Sequence, residues 1–76
     1  MNAPAPQMDL PMLLLSREEV VFALRDKIKD RFALTFALLT HFPDQIVYAD
    51  FDTQFHRFRA YFVDTHELVM WKLERL

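Results

Sequence analysis

One apolar stripe constrains this chain more than any other feature: Val47-Tyr48, Phe51, Phe55, Phe58 and Phe62. On a helical wheel at about 100° per residue these side chains share an arc of roughly 100°. The stripe keeps its phase through Thr65/His66, Val69, Leu73 and Leu76. Steps of three and four residues are what an apolar seam on an α-helix requires. The same stretch is rich in strand-favouring Ile, Val, Tyr, Phe and Thr, so a β-hairpin over Gln45–Val63 is the competing reading. Alternation argues against it. One face of Phe55–Val63 would carry Phe, Arg, Arg, Tyr and Val, the other His, Phe, Ala and Phe. The connecting Asp52-Thr53-Gln54 also lacks the Gly or Asn that a tight hairpin turn uses. A helix is therefore expected from about residue 44 to about residue 75.

A second helix is expected before it, from about residue 16 to about residue 41. Ser16-Arg17-Glu18-Glu19 has the form of a capping box, with Ser16 at the N-cap and Glu19 three residues on. The stripe that follows is Val20/Val21, Leu24, Ile28, Phe32, Thr35, Leu39 and Phe42. Phe32–Leu39 is apolar on every side, the pattern of a helix covered on more than one surface. Pro43 then breaks the chain, placing a turn at 41–44, and Asp44 supplies a carboxylate near the next helix's start. A second capping box, Asp64-Thr65-His66-Glu67, marks where helix 2 can bend or divide. The absence of glycine from all 76 residues fits long helices with one short connection. Residues 1–11, which hold Pro4, Pro6 and Pro11, read as a mobile N-terminal arm preceding one domain over 12–76.

The expected fold is thus all-α: an antiparallel helical hairpin. A chain of this length buries only about 60% of its unfolded surface, so a core of its own is marginal. Yet 53% of the residues are hydrophobic and eight are phenylalanine, more than two helices can enclose. Closure as a symmetric homodimer, a four-helix bundle, is the simplest solution. Its shared core would be built from Phe32, Leu34, Phe36, Leu38, Phe51, Phe55, Phe58 and Phe62. Tyr48, Tyr61, Leu68, Trp71, Arg57 and Arg59 are the candidate contacts to a further partner, with Phe36 a possible outward anchor beside them.

Most chemistries find little support. There is no cysteine, which removes disulfides and thiolate metal sites. Asp52 and His56 would share a helical face at i,i+4, a spacing that can hold zinc, but a surface ion pair accounts for it as well. His66 would interrupt the apolar seam, where a polar group can set register or respond to pH. Ser16 is the only serine, and capping accounts for it; without glycine no phosphate-cradling loop can form. No catalytic residue, cofactor or metal is expected. Arg25, Lys27, Lys29, Arg31, Arg57 and Arg59 offer a modest basic strip, but Asp26 and Asp30 interleave with it and the net charge is −2. No stretch has the length of a membrane span and no signal peptide is recognisable, so a cytoplasmic setting is expected. The expected function is binding: a small regulator, adaptor or inhibitor that docks by its helices on a larger protein. A nucleic-acid-associated transcriptional regulator using the basic strip is the alternative.

Overall fold

A computed structural model describes residues 9–76 and overturns the all-α expectation. The order is β1 (Met12–Leu15), α1 (Arg17–Leu24), α2 (Arg31–His41), β2 (Ile46–Asp52), β3 (Arg57–Phe62) and α3 (Thr65–Leu73). This is a mixed α/β fold. The strands form one antiparallel sheet with β3 in the middle, in the order β1-β3-β2. Neither the helical hairpin nor the four-helix bundle exists. Of the expected N-terminal arm, residues 1–8 lie outside the described residues; the carbonyl of Pro11 accepts a hydrogen bond from the Phe62 N–H at 2.9 Å.

The stripe that reads as a helical seam is divided between two strands and a turn. On β3 the buried residues are Phe58, Ala60 and Phe62, while Arg57, Arg59 and Tyr61 alternate with them at half-burial. That period of two is the signature of a sheet with one covered face. It is hidden in the sequence because the half-exposed face mixes Arg57 and Arg59 with the aromatic Tyr61, so neither face reads as clean. The turn between β2 and β3 works without glycine: the Asp52 carboxylate accepts from the backbone N–H of Gln54 at 3.0 Å, and His56 takes the left-handed conformation at φ 53°. The strands therefore reverse over a turn, Thr53–His56, whose sequence carries no strong hairpin signal.

The single long helix expected over 16–41 is likewise two. Arg25 adopts φ 58° and ends α1, and Asp30 caps α2 by accepting from the Ala33 N–H at 2.9 Å. Aspartate offers its backbone neighbours this alternative to continuing a helix, which favours it at starts. Arg17 ties the intervening loop back, donating from Nη2 to the carbonyls of Ile28 and Lys29. The two capping boxes behave differently. Ser16 and Glu19 make both reciprocal bonds at 3.1 and 2.7 Å, and Asp64 accepts from the Glu67 N–H at 2.8 Å as a one-sided cap. The expected division near Asp64 is a true boundary, between a strand and a helix rather than between two helices.

All three helices cover the same face of the sheet. Val20 and Leu24 from α1, Leu34, Ala37 and Leu38 from α2, and Trp71 from α3 join Leu15, Ile46, Ala49, Phe58, Ala60 and Phe62 in one core. The Trp71 indole meets Phe42 and Phe62 edge-on, at centroid distances of 5.5 and 5.7 Å. No helix among the described residues lies on the opposite face of the sheet. Among the described residues no helix is long and apolar enough to cross a membrane.

Candidate functional site

The fold leaves three surfaces that can engage something else. The first is the outer face of α2. With Leu34, Ala37 and Leu38 committed to the sheet, the helix points Phe32 and Phe36 the other way, where they remain 69% and 67% exposed. They lie one turn apart and so form a single ridge. Arg31 borders it, its guanidinium 5.5 Å from the Phe32 ring and 4.9 Å from the ring of Phe51. Through Phe51 the ridge connects to the hairpin turn, since His56 lies 6.2 Å from that ring.

The second surface is the helix-free face of the sheet. The register puts Met12, Tyr61 and Tyr48 in one row across the three strands, with Leu14, Arg59 and Asp50 in the next. Tyr48 and Tyr61 are 5.7 Å apart at their centroids. Arg59 forks onto Asp50, Nε to Oδ1 at 2.7 Å and Nη2 to Oδ2 at 2.8 Å. That hydrogen bond is the main reason the Arg59 guanidinium is held above its ordinary pKa, against the opposing effect of burial. Arg57 stands opposite Asp52 and stacks over the Phe55 ring at 4.9 Å.

The third is a groove of about 430 Å³ along the outer edge of β1, between α1 and the end of α3. Leu13, Leu15, Phe22 and Trp71 contribute its apolar walls, with Glu18 and Lys72 among its charged ones.

The residues singled out from sequence are scattered over these surfaces. Leu34, Leu38, Phe58 and Phe62 are fully buried, as core residues should be, but Phe51 is only half-buried and Phe32, Phe36 and Phe55 are exposed. The shared bundle core therefore does not form. Trp71, expected to face outward, is 3% exposed, and Leu68 is packed against the core. The basic strip is not assembled: Arg31 lies against Phe51 on the helix-covered side of the sheet, whereas Arg57 and Arg59 are on the other face, Arg59 paired with Asp50 and Arg57 stacked over Phe55. Asp52 and His56 share no helix, because one holds the turn by its carboxylate and the other sits within it. His66 lies exposed in the first turn of α3, not in a seam. Among the described residues no three His, Cys, Asp or Glu side chains converge as a metal site would require. From sequence, Met12–Leu15 is too apolar to be left in water and is placed against Trp71 and Lys72, but as a cover for them and not as the wall of an open groove. Its signal was the uncharged run Met12–Leu15, four residues with neither turn nor helix pattern.

What the geometry defines is a two-layer domain with one sheet face and one helix face open to contact. No family model matches the chain, and neither a curated protein nor a solved structure does.

Proposed function

We propose that this chain is a small protein-interaction module, a regulator, adaptor or inhibitor that acts by binding a larger protein rather than by catalysis. The observation that carries this reading is the Phe32–Phe36 ridge. Burying a phenylalanine contributes about 1.5–3 kcal/mol, and this helix withholds two of them from its own core. Large apolar side chains grouped on a small domain mark an interaction surface. A helix offering anchors at i and i+4 suits recognition by a hydrophobic groove. Arg31 beside them adds a cation able to meet a carboxylate at the rim.

A second reading, contact with single-stranded nucleic acid, has one observation in its favour: Tyr48 and Tyr61 lie together on an open sheet face beside Arg57 and Arg59. Bases stack on such platforms. Asp50 and the overall charge oppose it, since Arg59 already forks onto the Asp50 carboxylate and the chain carries a net charge of −2.

The test is a pair of affinity purifications with tagged wild type and with Phe32→Glu/Phe36→Glu. Both positions are exposed, so circular dichroism should be unchanged. A protein retained in stoichiometric amount by the wild type and lost from the variant supports the ridge. Equal retention by both chains counts against it. Recovery of nucleic acid that washes away steeply with salt moves the assignment to the sheet face.

A further inference from the structure

We propose that the outer edge of β1 is a self-association site, at which a second copy of this chain adds its own β1 antiparallel to the first. The proposal is independent of the docking ridge on α2.

The two edges of the sheet are built differently. β2 is protected: a bulge at Val47 interrupts its register, and Asp50 and Asp52 put charge along it. Bulges and charges are the usual means of keeping a strand edge from pairing. β1 has neither. Its sequence is Met-Leu-Leu-Leu, and its register with β3 is regular from Met12↔Tyr61 to Leu15↔Phe58.

The groove follows that edge. Side chains of a strand alternate between faces, so Leu13 and Leu15 point to the core side and Leu14 to the helix-free side. All three nevertheless line one groove, which places it along the backbone edge. The hydrogen-bond pattern says which backbone groups are available there. The Phe62 N–H bonds the Pro11 carbonyl, so residues 11, 13 and 15 direct their polar groups toward β3. Met12 and Leu14 direct theirs outward. An antiparallel partner with Met12 opposite Leu14 of the second copy, and Leu14 opposite its Met12, pairs every one of these groups around a two-fold axis through Leu13.

Charge decides in favour of a second copy over an unrelated strand. The groove is acidic at the Leu15 end, where α1 begins with Glu18 and Glu19. It is basic at the other end through Lys72, where α3 passes Phe62 at Trp71; Arg75 beyond it is stacked on Phe42 and Trp71 and ion-paired with Glu74 at 3.2 Å. Antiparallel pairing lays the Leu15 end of one chain beside the Met12 end of the other. Each acidic wall then meets a basic wall. A two-fold normal to the sheet also keeps both helical layers on one side, so Phe22 and Leu76, 61% and 97% exposed, approach their counterparts over the new seam.

Light scattering on the full chain at tens of micromolar should give twice the 9.1 kDa chain mass. Leu14→Pro removes one outward N–H at an edge position where proline is tolerated, and should weaken the dimer at least about tenfold in dissociation constant. Glu18→Lys and Lys72→Glu make the contact at both ends repulsive and should each weaken self-association several-fold. Mixed with each other, those two variants restore both attractions and should form the heterodimer, which holds the proposal to a test even where Leu14→Pro perturbs folding. Phe32→Glu/Phe36→Glu should leave the dimer intact. A monomeric wild type overturns the proposal. So does a dimer that a well-folded Leu14→Pro leaves unchanged, or a mixture that associates no better than its components.

Discussion

Phe55 and Phe58 are three residues apart and occupy opposite environments. Phe58 is fully buried in the centre of the sheet, 4.8 Å from the Phe51 ring, whereas Phe55 is 58% exposed in the turn under the Arg57 guanidinium. Removing the first leaves a cavity, and Phe58→Ala should cost about 3–5 kcal/mol in urea unfolding. For a domain whose whole stability is of the order of 5–10 kcal/mol, Phe58→Asp should prevent folding, visible as loss of near-UV dichroism. Phe55→Ala forfeits only a stacking contact and should cost about 1 kcal/mol or less. A similar cost at both positions would mean that the hairpin register is wrong. At this scale only part of the core was readable: Leu34, Leu38, Phe58 and Phe62 are buried as their hydrophobicity suggests, but against a sheet rather than in a helical bundle. Phe32, Phe36 and Phe55 are not, because composition cannot tell a phenylalanine that fills a core from one kept back at a surface.

The elements were legible where their signal is local. The Ser16–Glu19 box starts a helix, the proline at 43 ends one, and the Asp64–Glu67 box starts another. What failed was periodicity over a long span. Four aromatic positions spaced at three and four mimic a helical seam, although Phe51 and Phe58 are paired across a hairpin and Phe55 lies in its turn. Cross-strand partners converge on a common face whatever their separation in sequence, so a fold with few strands can imitate helical spacing. The missing glycine misled in the same way. Arg25 and His56 occupy left-handed conformations at φ 58° and 53°, positions that glycine normally takes. This makes the glycine-free composition a cost that the chain carries rather than proof that tight turns are absent. Arg25→Gly should therefore stabilise the protein, by about 0.5–1 kcal/mol after the greater freedom of the unfolded chain is set against the relief. Ser16→Ala should act in the opposite direction by about 1 kcal/mol. Both are read from the midpoint of chemical unfolding at constant slope. A destabilising Arg25→Gly would show that the arginine side chain matters more than its backbone angle.

For the molecule as a whole, the question is how so small a domain reaches a stable balance while leaving Phe22, Phe32, Phe36 and Phe55 at its surface. Part of the answer is internal. The Arg75 guanidinium lies 4.6 Å from the Phe42 ring and 4.3 Å from Trp71, and its Nη1 donates to the Trp71 carbonyl at 2.8 Å, so the residues after α3 are held against the junction of α2 and β2. The rest should come from association. A copy that pairs along β1 binds the folded chain and not the unfolded one, so stability rises with protein concentration by mass action. Above the dissociation constant, each tenfold increase should add about 0.7 kcal/mol per chain, or roughly 3–5 °C in melting temperature for a domain of this size. Leu14→Pro should flatten that dependence, while Phe32→Glu/Phe36→Glu should not, because α2 packs over β2 and its outer ridge faces away from the β1 edge. A melting temperature independent of concentration in the wild type would place the folded state within a single chain and leave the β1 edge without a role in stability. The opposite result would couple folding to pairing at one edge of the sheet, with the α2 ridge still free for a different protein.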